Sequence, residues 1–365
     1  MIVVMPEYTD PVPRAALDAA WAGLERGGAI VGIDELSPQV STNRVFRLHV
    51  DHGSPVIAKV SSYGSFFLFA EDHDRLYRLH ERLAGTRYAD FLAPVLAVGD
   101  RPYLWYDGAS WIAFYAELER RDRLPKILPI DYVRRLGEEL ATFHQATAQA
   151  AAGMPPSSYS LKSNAIHLLD QLASPFAPKN FELRPEQIGT LWRHTHHFLC
   201  RLLDVGYDDW AKHPVLVDWN LGNFSVDDAS NAEFRMFSRW DYDWFRIESR
   251  ILDFYFLSRA ASSTGDRTVF SYSSHTLTEP RFVEFLRAYH QVSPLSEAEL
   301  RFIPEIYRFF ILNYVVREGA RFFRSDLCRK FRSDAANHFL PELDRIDITP
   351  LLRILDEPAP RRSRR

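Results

Sequence analysis

Three groups of residues in this chain have the types and spacing that chemistry on a phosphate requires. The first is the run Val215-Leu216-Val217-Asp218-Trp219-Asn220-Leu221-Gly222-Asn223-Phe224-Ser225-Val226, where an apolar strand delivers Asp218 and Asn223 follows before another strand begins. Phosphoryl transfer to a hydroxyl asks little covalent help of a protein. It needs a carboxylate to accept or orient the hydroxyl, and oxygen ligands for the metal that neutralises the phosphates. An Asp and an Asn so placed can supply both. Taken alone, a loop of Asp, Asn and Gly is more often only a turn.

The second group is Asp241-Tyr242-Asp243, delivered by the strand-like run 234–240, with Asp253 opening an apolar helix further on. A carboxylate at the end of the strand after a catalytic loop is a natural magnesium ligand. Trp240, Tyr242, Trp244 and Phe245 surround these acids. Carboxylates held among aromatics usually have a partner or a metal, which weighs against a plain solvated turn. The third group is Lys59 in Val56-Ile57-Ala58-Lys59-Val60. It reads either as an edge-strand charge or as a lysine that binds phosphates and pairs with a helix acid. Glu71 on the following helix is the chosen partner, with Asp72 and Asp74 as alternatives.

The elements that must position these groups fall into two textures. A helix is expected over 13–26, ending at Gly27-Gly28. Strands follow at 30–33, 44–50 and 55–60, with the turn Asp51-His52-Gly53-Ser54 between the last two. A helix over 65–83 carries Leu68, Leu76, Leu79 and Leu83 on one side, and strands recur at 94–98, 102–106 and 111–118. After Leu118 the pattern is helical: 130–150, 164–172 and 185–203, then 251–261, 280–289, 296–323 with a break near Pro304, and 350–355. The strand-rich island at 215–240 interrupts these helices. The expected fold is α+β and bilobal, with the ligand in the cleft between the lobes.

With the three groups in this order, the chain resembles the aminoglycoside phosphotransferase and choline kinase-like superfamily. The catalytic loop of that superfamily reads H-G-D-x-x-x-x-N, and its metal strand reads I-D-x-[DE] with a further Asp downstream. Asp218, Gly222 and Asn223 match the loop, and Asp241, Asp243 and Asp253 match the second motif. Ser41-Thr42-Asn43-Arg44-Val45-Phe46-Arg47 is similar to the phosphate-loop strand, and Leu140-Ala141-Thr142-Phe143-His144 to a helix ending in Leu-x-x-x-His. Phe285-Leu286-Arg287-Ala288-Tyr289, with Pro294-Leu295-Ser296, is similar in a less specific way to bacterial homoserine kinases of this fold. Leu216 and Val217 depart from the pattern, standing where His and Gly are usual, and the phosphate loop has no glycine.

The resemblance implies a protein-kinase-like fold with a small antiparallel-sheet N-lobe (1–118), a large helical C-lobe (119–356) and a tail (357–365). It implies an ATP- and Mg2+-dependent phosphotransferase acting on a hydroxyl of a small molecule such as an amino alcohol, hydroxy amino acid, sugar or aminoglycoside. Asp218 would accept or orient the hydroxyl, and Asn223 and Asp241 would hold magnesium. Lys59, positioned by Glu71, would bind phosphates, aided by Ser41 and Thr42. The segment 114–118, centred on Ala116, would offer its backbone to adenine, and Asp243 and Trp244 would face the acceptor. The departure at Leu216 and Val217 keeps a second expectation open, a pseudokinase-like protein that binds nucleotide or a partner with weak or no transfer.

Composition agrees with a folded enzyme. Of 365 residues, 46% are hydrophobic and 25% charged, and the formal net charge is −4, which gives no footprint for nucleic acid. No apolar stretch approaches membrane-spanning length, and the first residues lack the pattern of a secretory signal. Cys200 and Cys328 have no metal-ligand spacing around them, so reduced thiols and a cytoplasmic setting are expected. His194, His196 and His197 read as ordinary helix residues. The aromatics Trp240, Trp244, Phe254, Tyr255 and Phe256 read mainly as core, with an acceptor-pocket floor as the other reading.

Overall fold

The computed structural model describes residues 12–37, 43–62, 64–265, 272 and 274–356. Helix α1 (Arg14–Gly23) leads into strands β1 (Ile30–Glu35), β2 (Arg44–Val50) and β3 (Val56–Ser61), then helix α2 (Phe66–Leu83). Strands β4 (Ala97–Val98), β5 (Arg101–Pro102), β6 (Leu104–Tyr106) and β7 (Trp111–Ala116) follow. The main sheet has the order β1-β2-β3-β7-β6, all antiparallel. Strand alternation divides its residues between two faces. Phe46, Ala58 and Phe114 are fully buried on one face, against Leu17 and Trp21 of α1. Val45, Ile57, Lys59 and Tyr115 point the other way, into the cleft, and α2 packs on that side through Leu76, Leu79 and Leu83.

The helical half contains α3 (Ile130–Ala150), α4 (Leu161–Ala173), α5 (Ala177–Phe181) and α6 (Pro185–Asp204). After the polar island come α7 (Phe254–Ala261), α8 (Pro280–Val292), α9 (Glu297–Phe310), α10 (Gly319–Phe322), α11 (Ser325–Asp334), α12 (Leu340–Leu343) and α13 (Thr349–Leu352). Helices α3 and α8 cross closely at Gly137, where a Cβ would stand 2.4 Å from the Phe285 carbonyl oxygen. No other residue fits that crossing. The break expected near Pro304 falls later: α9 runs through Pro304, and the chain changes to a π-helical turn at Ile311–Arg317. The tail 357–365 lies outside the described residues. Among the described residues, no helix is long and apolar enough to cross a membrane.

The island is built from two short ribbons. Strand β8 (His213–Val215) pairs with β11 (Arg246–Glu248), and β9 (Phe224–Val226) pairs with β10 (Met236–Arg239). Because the inner pair closes within the outer pair, the loop 216–223 and the loop 240–245 must lie side by side. That topology is what brings the two carboxylate motifs together.

Candidate active site

Asp218 sits on a loop that is tightly turned and held from behind. Val217 has φ +61, and the Asp218 and Trp219 amides donate to the carbonyls two residues back at 2.7 and 2.9 Å. A β-branched residue rarely adopts this conformation, and it costs on the order of 1–3 kcal/mol. It is glycine's conformation, which explains why glycine is usual at this place in the resembled motif. The strain is held by Asp253, fully buried, whose Oδ1 accepts the Val217 amide at 2.7 Å. Asp253 Oδ2 meets His144 Nε2 at 2.8 Å, and His144 Nδ1 meets the Tyr289 hydroxyl at 2.7 Å. The loop is therefore braced by an Asp from α7's entry and a His from α3, in place of a His at position 216.

Arg239 supplies the second clamp. It is fully buried, and its guanidinium donates to the carbonyls of Asn223 at 2.9 Å and Asp218 at 2.8 Å. Burial lowers its pKa, and Asp218, Tyr242 and Asp241 oppose that shift. The Trp240 amide donates to the Asn223 carbonyl at 3.0 Å, which ties the two loops together directly. Asp241 follows with φ +67, a left-handed conformation that Asp tolerates better than most residues.

Lys59 closes the site from the sheet. Its Nζ lies 3.2 Å from Asp241 Oδ1 and also pairs with Asp243. Burial lowers the Lys59 pKa, and Asp241 partly restores it. Asp218 also acts on the Lys59 charge, so the three groups singled out in the sequence converge. Lys59, Gly222, Asn223, Trp240 and Asp241 line one cavity of about 410 Å3, whose far wall is Ala116, Glu117 and Leu118.

One expectation needs correction. Glu71 does not pair with Lys59: it is held by Arg75 at 2.9 Å and by the Ser158 hydroxyl at 2.7 Å. Burial pushes its pKa up, but the Arg75 and Ser158 bonds outweigh this and leave it below the ordinary value. The α2 residue buried beside the lysine is His73, whose Nδ1 is 2.6 Å from the Phe69 carbonyl and whose Nε2 meets the Tyr115 hydroxyl. Its pKa falls to about 3 through burial, Lys59 adding to the effect, so the ring is neutral. It donates from Nδ1 to the carbonyl and accepts from Tyr115. Ala116 lines the cavity beside Glu117 and Leu118, and its amide donates to the Pro94 carbonyl at 2.9 Å. Ser41 and Thr42 lie outside the described residues.

Asp243 and Trp244 face a second cavity, of about 140 Å3, beneath α2. Trp244 packs on Tyr314, ring centroids 4.5 Å apart, while Phe254, Tyr255 and Phe256 are buried. Trp240 belongs to the larger cavity, with the Arg120 guanidinium 4.5 Å from its ring. Sequence reasoning did not single out Arg239, His73 or Arg246. The first two are buried residues whose roles depend on backbone carbonyls and a tyrosine hydroxyl, which leave no spacing to read.

The donor set suits a hard divalent ion. Asn223 Nδ2 is 3.4 Å from the Asp218 carbonyl oxygen, which leaves its own side-chain oxygen as the ligating end, and Asp241 contributes a carboxylate. Magnesium is usually held by one or two carboxylates, with substrate phosphates and water completing the shell. Among the described residues, no cluster of three or more His, Cys, Asp or Glu could hold a metal ion.

No protein-family model and no curated protein matches the chain. Solved structures do match. An amicoumacin kinase in complex with AMP-PNP, Ca2+ and Ami is 16% identical with a TM-score of 0.63, covering 93% of this chain and 96% of that one. A microcompartment-associated aminopropanol kinase is 15% identical with a TM-score of 0.59, covering 92% and 98%. The GDP complex of an aminoglycoside 2'-phosphotransferase is 13% identical with a TM-score of 0.54, covering 91% and 98%. The chain therefore has the fold of these kinases and phosphotransferases, over nearly its whole length. That is the bilobal, kinase-like architecture its motifs imply.

Proposed function

We propose that this protein is an ATP- and Mg2+-dependent phosphotransferase that phosphorylates a hydroxyl group of a small molecule. The observation that carries the reading is the meeting of Lys59 with Asp241 at 3.2 Å in a cavity shared with Asn223. A cation from the sheet half there faces oxygen ligands from the helical half. Asp218 accepts or orients the acceptor hydroxyl, and its backbone is fixed by Arg239. Asn223 and Asp241 hold magnesium, which neutralises charge on the transferring phosphate. Lys59 turns from the carboxylates to the phosphates when nucleotide enters. The linker wall at 116–118 receives adenine, and Asp243 and Trp244 lie toward the acceptor.

ADP release from MgATP, measured with amino alcohols, hydroxy amino acids, sugars and aminoglycosides, tests this reading. Turnover with one acceptor, abolished by Asp218→Asn, is the expected result. A second reading, a nucleotide-binding protein without transfer, is favoured by the strained Val217 and by Leu216 in the place of a bracing His. Saturable nucleotide binding with no turnover on any acceptor would select it. The bracing of the loop by Asp253 and His144 favours the first.

A further inference from the structure

We propose that the cavity beneath α2 is a binding site for a small zwitterion, a molecule of amino-acid size carrying both a carboxylate and an ammonium group. Its floor is Arg246 on β11, only 8% exposed. One guanidinium nitrogen, Nη2, donates to the Tyr314 hydroxyl at 3.0 Å, while the other, Nη1, is buried with no partner. Among the described residues, Arg246 makes no salt bridge. Asp72 attracts Arg246 only through space, and a buried guanidinium that no carboxylate bonds directly is costly to keep; a carboxylate from outside would complete it with a charge-assisted bond. Asn164, 2% exposed on the same wall, also has a side-chain oxygen without a partner.

The opposite wall is acidic and only partly satisfied. Asp72 has the Ser157 hydroxyl at 3.5 Å and Arg75 at 3.9 Å, both at the limit of useful contact. Asp72 and Arg246 line one cavity yet do not close on each other. A single ligand with complementary ends bridges them, its carboxylate on Arg246 and its ammonium toward Asp72. Trp244 and Tyr314, packed together at 4.5 Å, give the short carbon chain between those ends an apolar wall. The space, about 140 Å3, compares with a cavity of about 150 Å3 that holds one benzene molecule. It suits the buried part of a ligand of roughly six heavy atoms or a few more.

The assignment does not rest on phosphoryl transfer, because the site stands on its own charges. The same chemistry serves an acceptor, if the zwitterion bears a hydroxyl that reaches Asp218, or an effector that does not react. Isothermal titration of the full chain without nucleotide, using L-homoserine, L-serine and L-2-aminobutyrate, separates these from the single-charge probes ethanolamine and glycolate. At least one zwitterion is expected to bind ten-fold or more tighter than either single-charge probe. Arg246→Met should weaken it at least ten-fold, and Asp72→Asn, at a less buried position, provides the second variant should Arg246→Met fail to fold. Binding with ADP release marks the hydroxylated ligand as acceptor, and equal binding of the deoxy compound without turnover marks an effector. Either result upholds the site. The proposal is overturned if no zwitterion binds at 10 mM on the order of metabolite excess, if a single-charge probe binds as tightly, or if folded variants keep full affinity.

Discussion

The ammonium of Lys59 and the carboxylate of Asp241 meet at 3.2 Å across 182 residues of sequence, and Asp243 joins the same lysine from the neighbouring cavity. The lysine thus stands between two spaces, the one proposed for nucleotide and the one proposed for a smaller ligand. Its charge is balanced from the helical half, while its neighbour on α2 is the neutral ring of His73.

Asp218 and Asp241 should separate by assay. Asp218→Asn keeps the loop, since Arg239 and Asn223 hold the backbone carbonyl, but removes the group proposed to take the proton. A fall of about 10²–10⁴ in turnover is expected, with nucleotide affinity within a few-fold of wild type. Asp241→Ala should instead raise the magnesium concentration needed for nucleotide binding, read by titrating a fluorescent ATP analogue at several magnesium levels. Equal loss of nucleotide affinity in both variants would contradict the division of roles.

Lys59 and Glu71 give a sharper contrast. Glu71 is bound to Arg75 and Ser158, so Glu71→Gln is expected to leave kcat/KM within about three-fold, the scale of a partly exposed ion pair of ~0.2–1 kcal/mol. Lys59→Met removes the buried ammonium that pairs with Asp241 and Asp243, and should lower kcat/KM by about 10²–10³, the scale of one lost transition-state donor. A large defect in Glu71→Gln would show that the lysine changes partners during the reaction.

This pair also shows how far the sequence could be read. Counting back from Leu83, Leu79 and Leu76 in helical steps reaches His73 and Phe69 on the buried face, so the off-face position of Glu71 was already legible. The choice of Glu71 followed residue type instead of periodicity. Asp218, Asn223, Asp241 and Lys59 were found because motif spacing within a loop survives without any tertiary information. Arg239 and Arg246 were not, since a buried arginine acting on carbonyls or awaiting a ligand has no local pattern. Helix α11 was missed because its SDLCRKFRSD run carries too few apolar residues to show a face.

The neutral state of His73 predicts an acid-sensitive fold. Burial pushes its pKa to about 3, below the ordinary value near 6.5. A depressed folded-state pKa gives stability that is present above pH ~6.5 and is lost as pH falls toward the folded value, because the unfolded chain takes the proton first. From pH 7.5 to 5 this amounts to about 2 kcal/mol for one such group. His194 and His213, each pushed to about 4 mainly by burial, act in the same direction. Asp72, raised to about 7 by burial, acts in the opposite one. Urea midpoints at the two pH values, compared between wild type and His73→Gln, isolate the His73 share. The variant should lose about 2 kcal/mol less stability on acidification, and parallel curves would refute the assignment.

Asp253 gives the last prediction, because it holds a backbone that resists its own conformation. Asp253→Ala leaves the Val217 amide buried and unpaired, at about 1–3 kcal/mol, and releases the strain at φ +61 by letting the turn relax. Relaxation moves Asp218, so turnover should fall more than stability alone explains. Asp253→Asn retains an acceptor for the amide, and its NH2 can donate to His144 in the tautomer that accepts at Nε2. It should therefore recover most of the activity. Val217→Gly tests the strain itself. Relief of about 1–2 kcal/mol is set against the loss of a fully buried valine side chain, worth about 1.5–3 kcal/mol. The variant should be slightly less stable yet as active as wild type, since glycine holds the same turn without effort. Single-turnover rates and melting curves on the three variants decide the matter: an inactive Val217→Gly would mean that the valine side chain, and not the turn, positions Asp218.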